Sequence, residues 1–193
     1  MSHGRGWPLS MPNTTHVGED VARNIEIKAR LADRDRLEAC LAGMAADGPY
    51  EIRQKDTFLV CSNGRLKVRD FGDGHGELIG YRRDDVAGLR ASCYRRTPTS
   101  DPAGLVATLA DALGIRGVVN KTRTLYLLGR TRVHVDRVAG LGDFVELEVV
   151  LAANAHLSTG RDEARRLMQT LAIDASALVE GAYIDLITAV PCR

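Results

Sequence analysis

One feature constrains this chain more than any other: charged and apolar side chains alternate strictly along several strand-length segments. In Asn24-Ile25-Glu26-Ile27-Lys28-Ala29-Arg30-Leu31 the polar side chains fall on one face and the apolar ones on the other. That is the period of a half-buried strand. The pattern returns with Arg65, Lys67 and Arg69 around Leu66 and Val68, and with Lys121 and Arg123 on a later segment. Arg132, His134 and Asp136 alternate with Val133 and Val135, and Glu146 and Glu148 with Val145, Leu147 and Val149. Glu77, Ile79, Tyr81 and Arg83 share a further face.

Residues i and i+2 on one strand face are roughly 7 Å apart. Lys67/Arg69, Lys121/Arg123 and Glu146/Glu148 are therefore neighbours of like charge, which repel more strongly as water is withdrawn. Two arrangements account for this. A sheet with one solvated face alternates in the same way and carries surface ion pairs. A sheet that curls closed, with helices on its apolar side, instead turns the charges onto an inner wall. The basic stretch of such a wall suits a polyphosphate, and the acidic stretch suits a hard divalent cation bound through oxygen.

Helices fit between these segments. Asp33 is placed to cap a helix with Leu37, Leu41 and Met44 on one stripe, ended by Gly48-Pro49. Asp101-Pro102 opens a second, with Leu105, Leu109 and Leu113 in line and Gly114 as the stop. A third begins near Ser158, and a short one covers 183–187. Strands are expected over 57–61, 65–69, 77–83, 119–128, 131–138 and 143–151, besides the first. The Gly72-Asp73-Gly74-His75-Gly76 run joins strand to strand, so it reads as a hairpin and not a phosphate loop. The expected fold is α+β, a closed, mainly antiparallel eight-stranded β-tunnel (barrel) with helices packed outside. One domain over residues 21–190 follows a disordered extension at 1–20, within which Met11 is an alternative start.

Composition removes other classes. The 26 basic and 25 acidic residues of 193 nearly cancel, which gives no general attraction to nucleic acid or anionic membrane. No apolar run approaches the roughly 20 residues of a membrane span. Cys40, Cys61, Cys93 and Cys192 are scattered, which argues against a disulfide framework or structural zinc and makes cytoplasm the default location. The charges at Arg161, Asp162, Glu163, Arg165 and Arg166 read as a solvated helix face.

Asn24-Ile25-Glu26-Ile27-Lys28 resembles the ExExK signature of the CYTH family, the triphosphate tunnel metalloenzymes that include class IV adenylyl cyclase and thiamine triphosphatase. Lys67-Val68-Arg69, Lys121-Thr122-Arg123 and Glu146-Leu147-Glu148 resemble further elements of that family in the same order. His134-Val135-Asp136 followed by Gly140-Leu141-Gly142-Asp143-Phe144 is similar to the cyclase branch. The resemblance implies phosphate contacts at Lys28, Lys67, Arg69, Arg83, Lys121, Arg123 and Arg132. It implies Mg2+ or Mn2+ on Glu26, Asp136, Glu146 and Glu148, with Glu26, Lys28 and Asp136 in catalytic roles.

Two positions depart from the family pattern. Asn24 stands where the first acid of ExExK belongs, and Phe58 stands where the thiamine triphosphatase branch has tyrosine. The expected activity is conversion of ATP to cyclic AMP and pyrophosphate. The alternatives are hydrolysis of inorganic tripolyphosphate or of a nucleoside or thiamine triphosphate, and a non-catalytic polyphosphate- or nucleotide-binding module. The expected partner is a small triphosphate, with neither nucleic acid nor membrane, and a homodimer is compatible with the sequence.

Overall fold

The computed structural model describes residues 22–44, 46–83, 90–152 and 154–189. The extension expected at 1–20 lies outside the described residues. Eight strands form one antiparallel sheet: β1 (Ala22–Arg30), β2 (Asp47–Leu59), β3 (Arg65–Asp70), β4 (Gly76–Arg83), β5 (Arg90–Thr99), β6 (Ile115–Leu128), β7 (Thr131–Val138) and β8 (Gly142–Leu151). Their order is β1-β5-β4-β3-β2-β6-β7-β8, and β1 carries a ladder on each edge, to β5 and to β8. Four helices complete the fold: α1 (Arg34–Gly43), α2 (Pro102–Leu113), α3 (Leu157–Thr170) and α4 (Tyr183–Ala189).

The alternation explains which face the helices cover. Ile27, Ala29, Val133, Val135, Val145 and Leu147 project to one side and are buried with Leu37 and Leu41 of α1 and with Leu171 just beyond α3. Ile25, Val149 and Leu151 pack on Ala164 of α3. The capping residues act as their chemistry dictates. Asp33 accepts a hydrogen bond from the Arg36 N–H and Asp101 from the Gly104 N–H, each satisfying an orphan donor of a first turn.

Three features differ from expectation. β5 carries Arg95-Arg96 and Pro98 instead of an alternating pattern, so its pairing with β1 and β4 has no periodic signal. β2 starts ten residues earlier than Thr57, continuing through the Gly48-Pro49 expected only to end α1. The third correction concerns the helices outside. α4 instead packs on the charged side of the sheet, where Phe58, Val119, Val138 and Phe144 make one end of that side apolar and meet Ala182, Tyr183 and Ile184. Burial of these apolar groups drives the helix into that end.

The contact of α3 with the sheet gives a stability test. A Cβ on Gly160 would lie 2.8 Å from Ile25 Cγ1 and 2.9 Å from Leu151 Cδ2. Gly160→Val should therefore lower unfolding stability by about 1–3 kcal/mol through overpacking. Urea denaturation reads it, with the exposed neighbour Arg161→Val as the small-effect control.

Candidate functional site

Pairing register gathers the charges. Lys28 lies opposite Glu146 and Glu26 opposite Glu148 across β1 and β8. His134 faces Glu146 and Arg132 faces Glu148 across β7 and β8. Arg123 lies opposite Asp136, and Asp56 opposite Arg69. A slip of one residue in any ladder would throw these charges onto the apolar face, so the packing of that face fixes the ionic set. The set is not a solvated exterior: Lys28 is 4% exposed, Arg123 7% and Asp136 0%.

The basic end is organised by Asp56 on β2. Its carboxylate accepts from Lys67 Nζ at 2.7 Å, from Arg69 Nε and Nη2 at 2.7 and 2.9 Å, and from Lys121 Nζ at 3.4 Å. Burial alone would raise the Asp56 pKa, but Arg69, Lys121 and Lys67 outweigh it and hold the carboxyl well below its usual range. Three cations hydrogen-bond this one carboxylate, with Glu77 opposite Arg69 on β4 as a further counter-charge. Burial, reinforced by Arg69, pushes Lys67 down to about 7, and burial with Arg123 opposing Asp56 brings Lys121 to about 8.

The acidic end is organised by Arg123. It holds Asp136 with two bonds of 2.6 Å and reaches Glu146 Oε2 at 2.6 Å. Glu146 also pairs with Lys28 at 3.1 Å. Against the upward push of burial, Lys28 and Arg123 hold Glu146 well below the ordinary carboxyl range. Glu148 is approached by Arg132 at 3.4 Å and takes a hydrogen bond from the Asn24 amide. Burial and Arg123 together lower the pKa of His134 despite the two nearby glutamates.

Two participants carry no clear signal in the sequence. Tyr183, from α4, donates to Asp136 Oδ2 at 2.9 Å, and its ring lies 4.0 Å beneath Lys28 Nζ. Its desolvation and the neighbouring Asp136 push its pKa well above the usual phenol value, so it stays a donor. Asp56 shares the face of Gln54 and Phe58, and that spacing was the available signal. Arg83 ends β4, but its side chain lies outside the described residues.

The donor chemistry fits a hard divalent cation. Glu26, Glu146 and Glu148 offer oxygens on paired strands, and two buried polar atoms beside them, Asn24 Oδ1 and His134 Nδ1, have no hydrogen-bond partner. Among the described residues no three His, Cys, Asp or Glu side chains lie together so as to hold a metal ion. Both oxygens of Asp136 are engaged by Arg123, and one also by Tyr183.

Residues 22–183 match the CYTH domain family. This chain belongs to that family. CYTH members are adenylyl cyclase or triphosphatase enzymes acting on triphosphates, and the family implies a divalent metal. The chain is similar to adenylate cyclase CyaB of Aeromonas hydrophila, 26% identical over 172 residues, covering 84% of this chain and 87% of the relative. In fold it resembles the PH1012 protein of Pyrococcus horikoshii OT3, with a TM-score of 0.74, 22% identity, and coverage of 84% and 98% of the two chains. It also resembles the adenylyl cyclase candidate HpAC1 of Hippeastrum, in which a dominant triphosphatase activity is described. There the TM-score is 0.57 and the identity 14%, with 82% and 91% of the chains covered.

The lowered Lys67 pKa has a stability consequence. Between about 7, its folded value, and 10.5, its ordinary value, the unfolded chain holds a proton at this lysine that the folded chain does not. Lys67 therefore makes stability rise with pH across that window and lowers it below. Lys67→Met should flatten the rise, measured as the change in urea midpoint between pH 7 and pH 9 for variant and parent. An unchanged slope would contradict the assignment.

Proposed function

We propose that this protein is a metal-dependent enzyme that grips a triphosphate inside a β-tunnel and converts ATP to cyclic AMP and pyrophosphate. The observation that carries this reading is the convergence of the half-buried Lys67 and Arg69 and the buried Lys121 on the buried carboxylate of Asp56. Buried cations in excess of their counter-ions are costly, and a polyanion relieves that cost. The Aeromonas relative named adenylate cyclase supports the finer reaction.

In this reading Lys67, Arg69 and Lys121 hold the terminal phosphates, with Lys28, Arg123, Arg132 and Arg83 completing the grip. Glu26, Glu146 and Glu148 would hold Mg2+ or Mn2+, the carboxylates being ionised and grouped on β1 and β8. Asp136, whose oxygens accept from Arg123 and Tyr183, positions that arginine beside Glu146. When bound, such a cation would neutralise charge at the α-phosphate and lower the pKa of the ribose 3′-hydroxyl. The 3′-oxygen bonds to the α-phosphorus as the bond to the β-phosphate oxygen breaks. Pyrophosphate leaves with the electron pair, and the hydroxyl proton passes to water. Lys28 counters the charge that develops, which is catalysis by positioning and electrostatics, as phosphoryl transfer generally requires.

A second reading is hydrolysis of a triphosphate by the same grip, with water in place of the ribose hydroxyl. The triphosphatase activity described for HpAC1, a related fold, favours it. Phosphorus NMR of products from ATP and from tripolyphosphate, with Mg2+ or Mn2+, separates the two. Cyclic AMP with pyrophosphate is expected, orthophosphate from tripolyphosphate supports hydrolysis, and binding without product would overturn the enzymatic reading.

Glu146→Gln keeps the shape and removes the charge, and should reduce turnover by about 100-fold or more while the fold persists. Arg69→Ala should raise the apparent Michaelis constant about tenfold for every triphosphate, whatever its base. Arg69 is the better probe than Arg123, since its loss leaves Asp56 paired with two lysines. Removing Arg123 would strand the buried Asp136 and destabilise the protein itself.

A further inference from the structure

The charged side of the sheet has a direction. Starting where α4 packs, the residues on that side run Phe58, Asp56, Gln54 and Ile52 on β2, and Val119, Lys121, Arg123 and Leu125 on β6. On β8, Phe144 likewise precedes Glu146 and Glu148. The first residue of each series is apolar and is buried with Ala182, Tyr183 and Ile184, which fills that end. In the reading above, the cations around Asp56 hold the terminal phosphates. The rest of a bound nucleotide therefore extends away from α4, past Gln54 and Ile52.

Gln54 is the first side chain met in that direction along β2, roughly 7 Å beyond Asp56 on the same face. The β2–β3 ladder ends at Lys55, so Gln54 lies just past the basic group. It is 6% exposed, and its Oε1 is buried with no hydrogen-bond partner. Lys121 lies opposite on β6, but its ammonium is directed at Asp56, 3.4 Å away. A buried carbonyl oxygen has lost its water and is complementary to a donor that the chain does not supply. Ionised phosphate oxygens only accept, so they are the wrong partner. A nucleoside carries suitable donors, the ribose hydroxyls and the exocyclic amine of the base. The next residues outward, Ile52 on β2 and Leu125 on β6, are apolar and suit a sugar or base better than a phosphate.

We propose that Gln54 is a specificity-determining residue, whose Oε1 accepts a hydrogen bond from the nucleoside of the substrate and so discriminates a nucleoside triphosphate from inorganic tripolyphosphate. The inference rests on the triphosphate grip proposed above and adds where the nucleoside lies and what recognises it. A site that holds a buried acceptor for a ligand's O–H or N–H rejects a ligand lacking that donor, because the acceptor is then left unpaired.

The test uses the full chain in Mg2+ and calorimetry with two ligands that cannot be cleaved, a bismethylene triphosphate with and without adenosine. Gln54→Met keeps the side-chain length and removes the amide. It should weaken the adenosine form about tenfold and leave the nucleoside-free form unchanged. Its urea midpoint should not fall, since the lost oxygen has no partner in the protein. The 2′-deoxy, 3′-deoxy and inosine versions of the ligand identify the donor. The difference between parent and variant should vanish with one deoxy form if a hydroxyl donates, and with inosine if the amine does. A difference that persists with all three, equal weakening of both original ligands, or no weakening of either would overturn this inference and leave the triphosphate grip standing. Failure of the parent chain to bind either ligand would overturn both.

Discussion

The structure depends on Arg123 and the carboxylates it joins. An ion withdrawn from water is stable only when its counter-charges are close and well directed, and losing one partner of a buried pair costs about 3–5 kcal/mol. Arg123 satisfies Asp136 with both arms of its fork and reaches Glu146, which in turn holds Lys28. The chain of contacts links β6, β7, β8 and β1 through their interior side. Apolar packing under α1 and α3 fixes the other side of the same strands. Neither layer is free to shift its register without disrupting the other.

The basic group has a different character. At Asp56 three cations meet one carboxylate, and burial, reinforced by neighbouring arginines, makes the lysines give up protons more readily than in water. The acidic group is closer to internal balance, with its carboxylates engaged by Arg123, Lys28, Arg132 and Asn24. One region therefore gathers three cations around a shared carboxylate. In the other, Asn24 Oδ1 and His134 Nδ1 are buried without a hydrogen-bond partner.

Much of this was legible where the period of two is clean. β1, β3, β7 and β8 announce both their existence and which residues share a face, and Lys28, Arg123, Asp136, Glu146 and Glu148 come together through that pattern. β5 was hidden because its arginine pair and Pro98 erase the alternation, although pairing on both edges still holds it as a strand. Tyr183 was hidden for a different reason. Its place is set by α4 docking on Phe58, Val119 and Phe144, a tertiary contact among residues that are individually ordinary. Asp56 lies just before the strand expected over 57–61, and its importance, which is how many cations converge on it, is a tertiary property.

The docking of α4 bears on how the molecule is made. Tyr183 reaches back 47 positions to Asp136, and the carbonyl of Gly181 accepts from Lys28, 153 positions before it. The strands that supply most of the charges precede α4 in the chain, and the interior has its aromatic floor only once that helix docks. A chain whose α4 has not docked therefore holds Lys28 less firmly than the folded one.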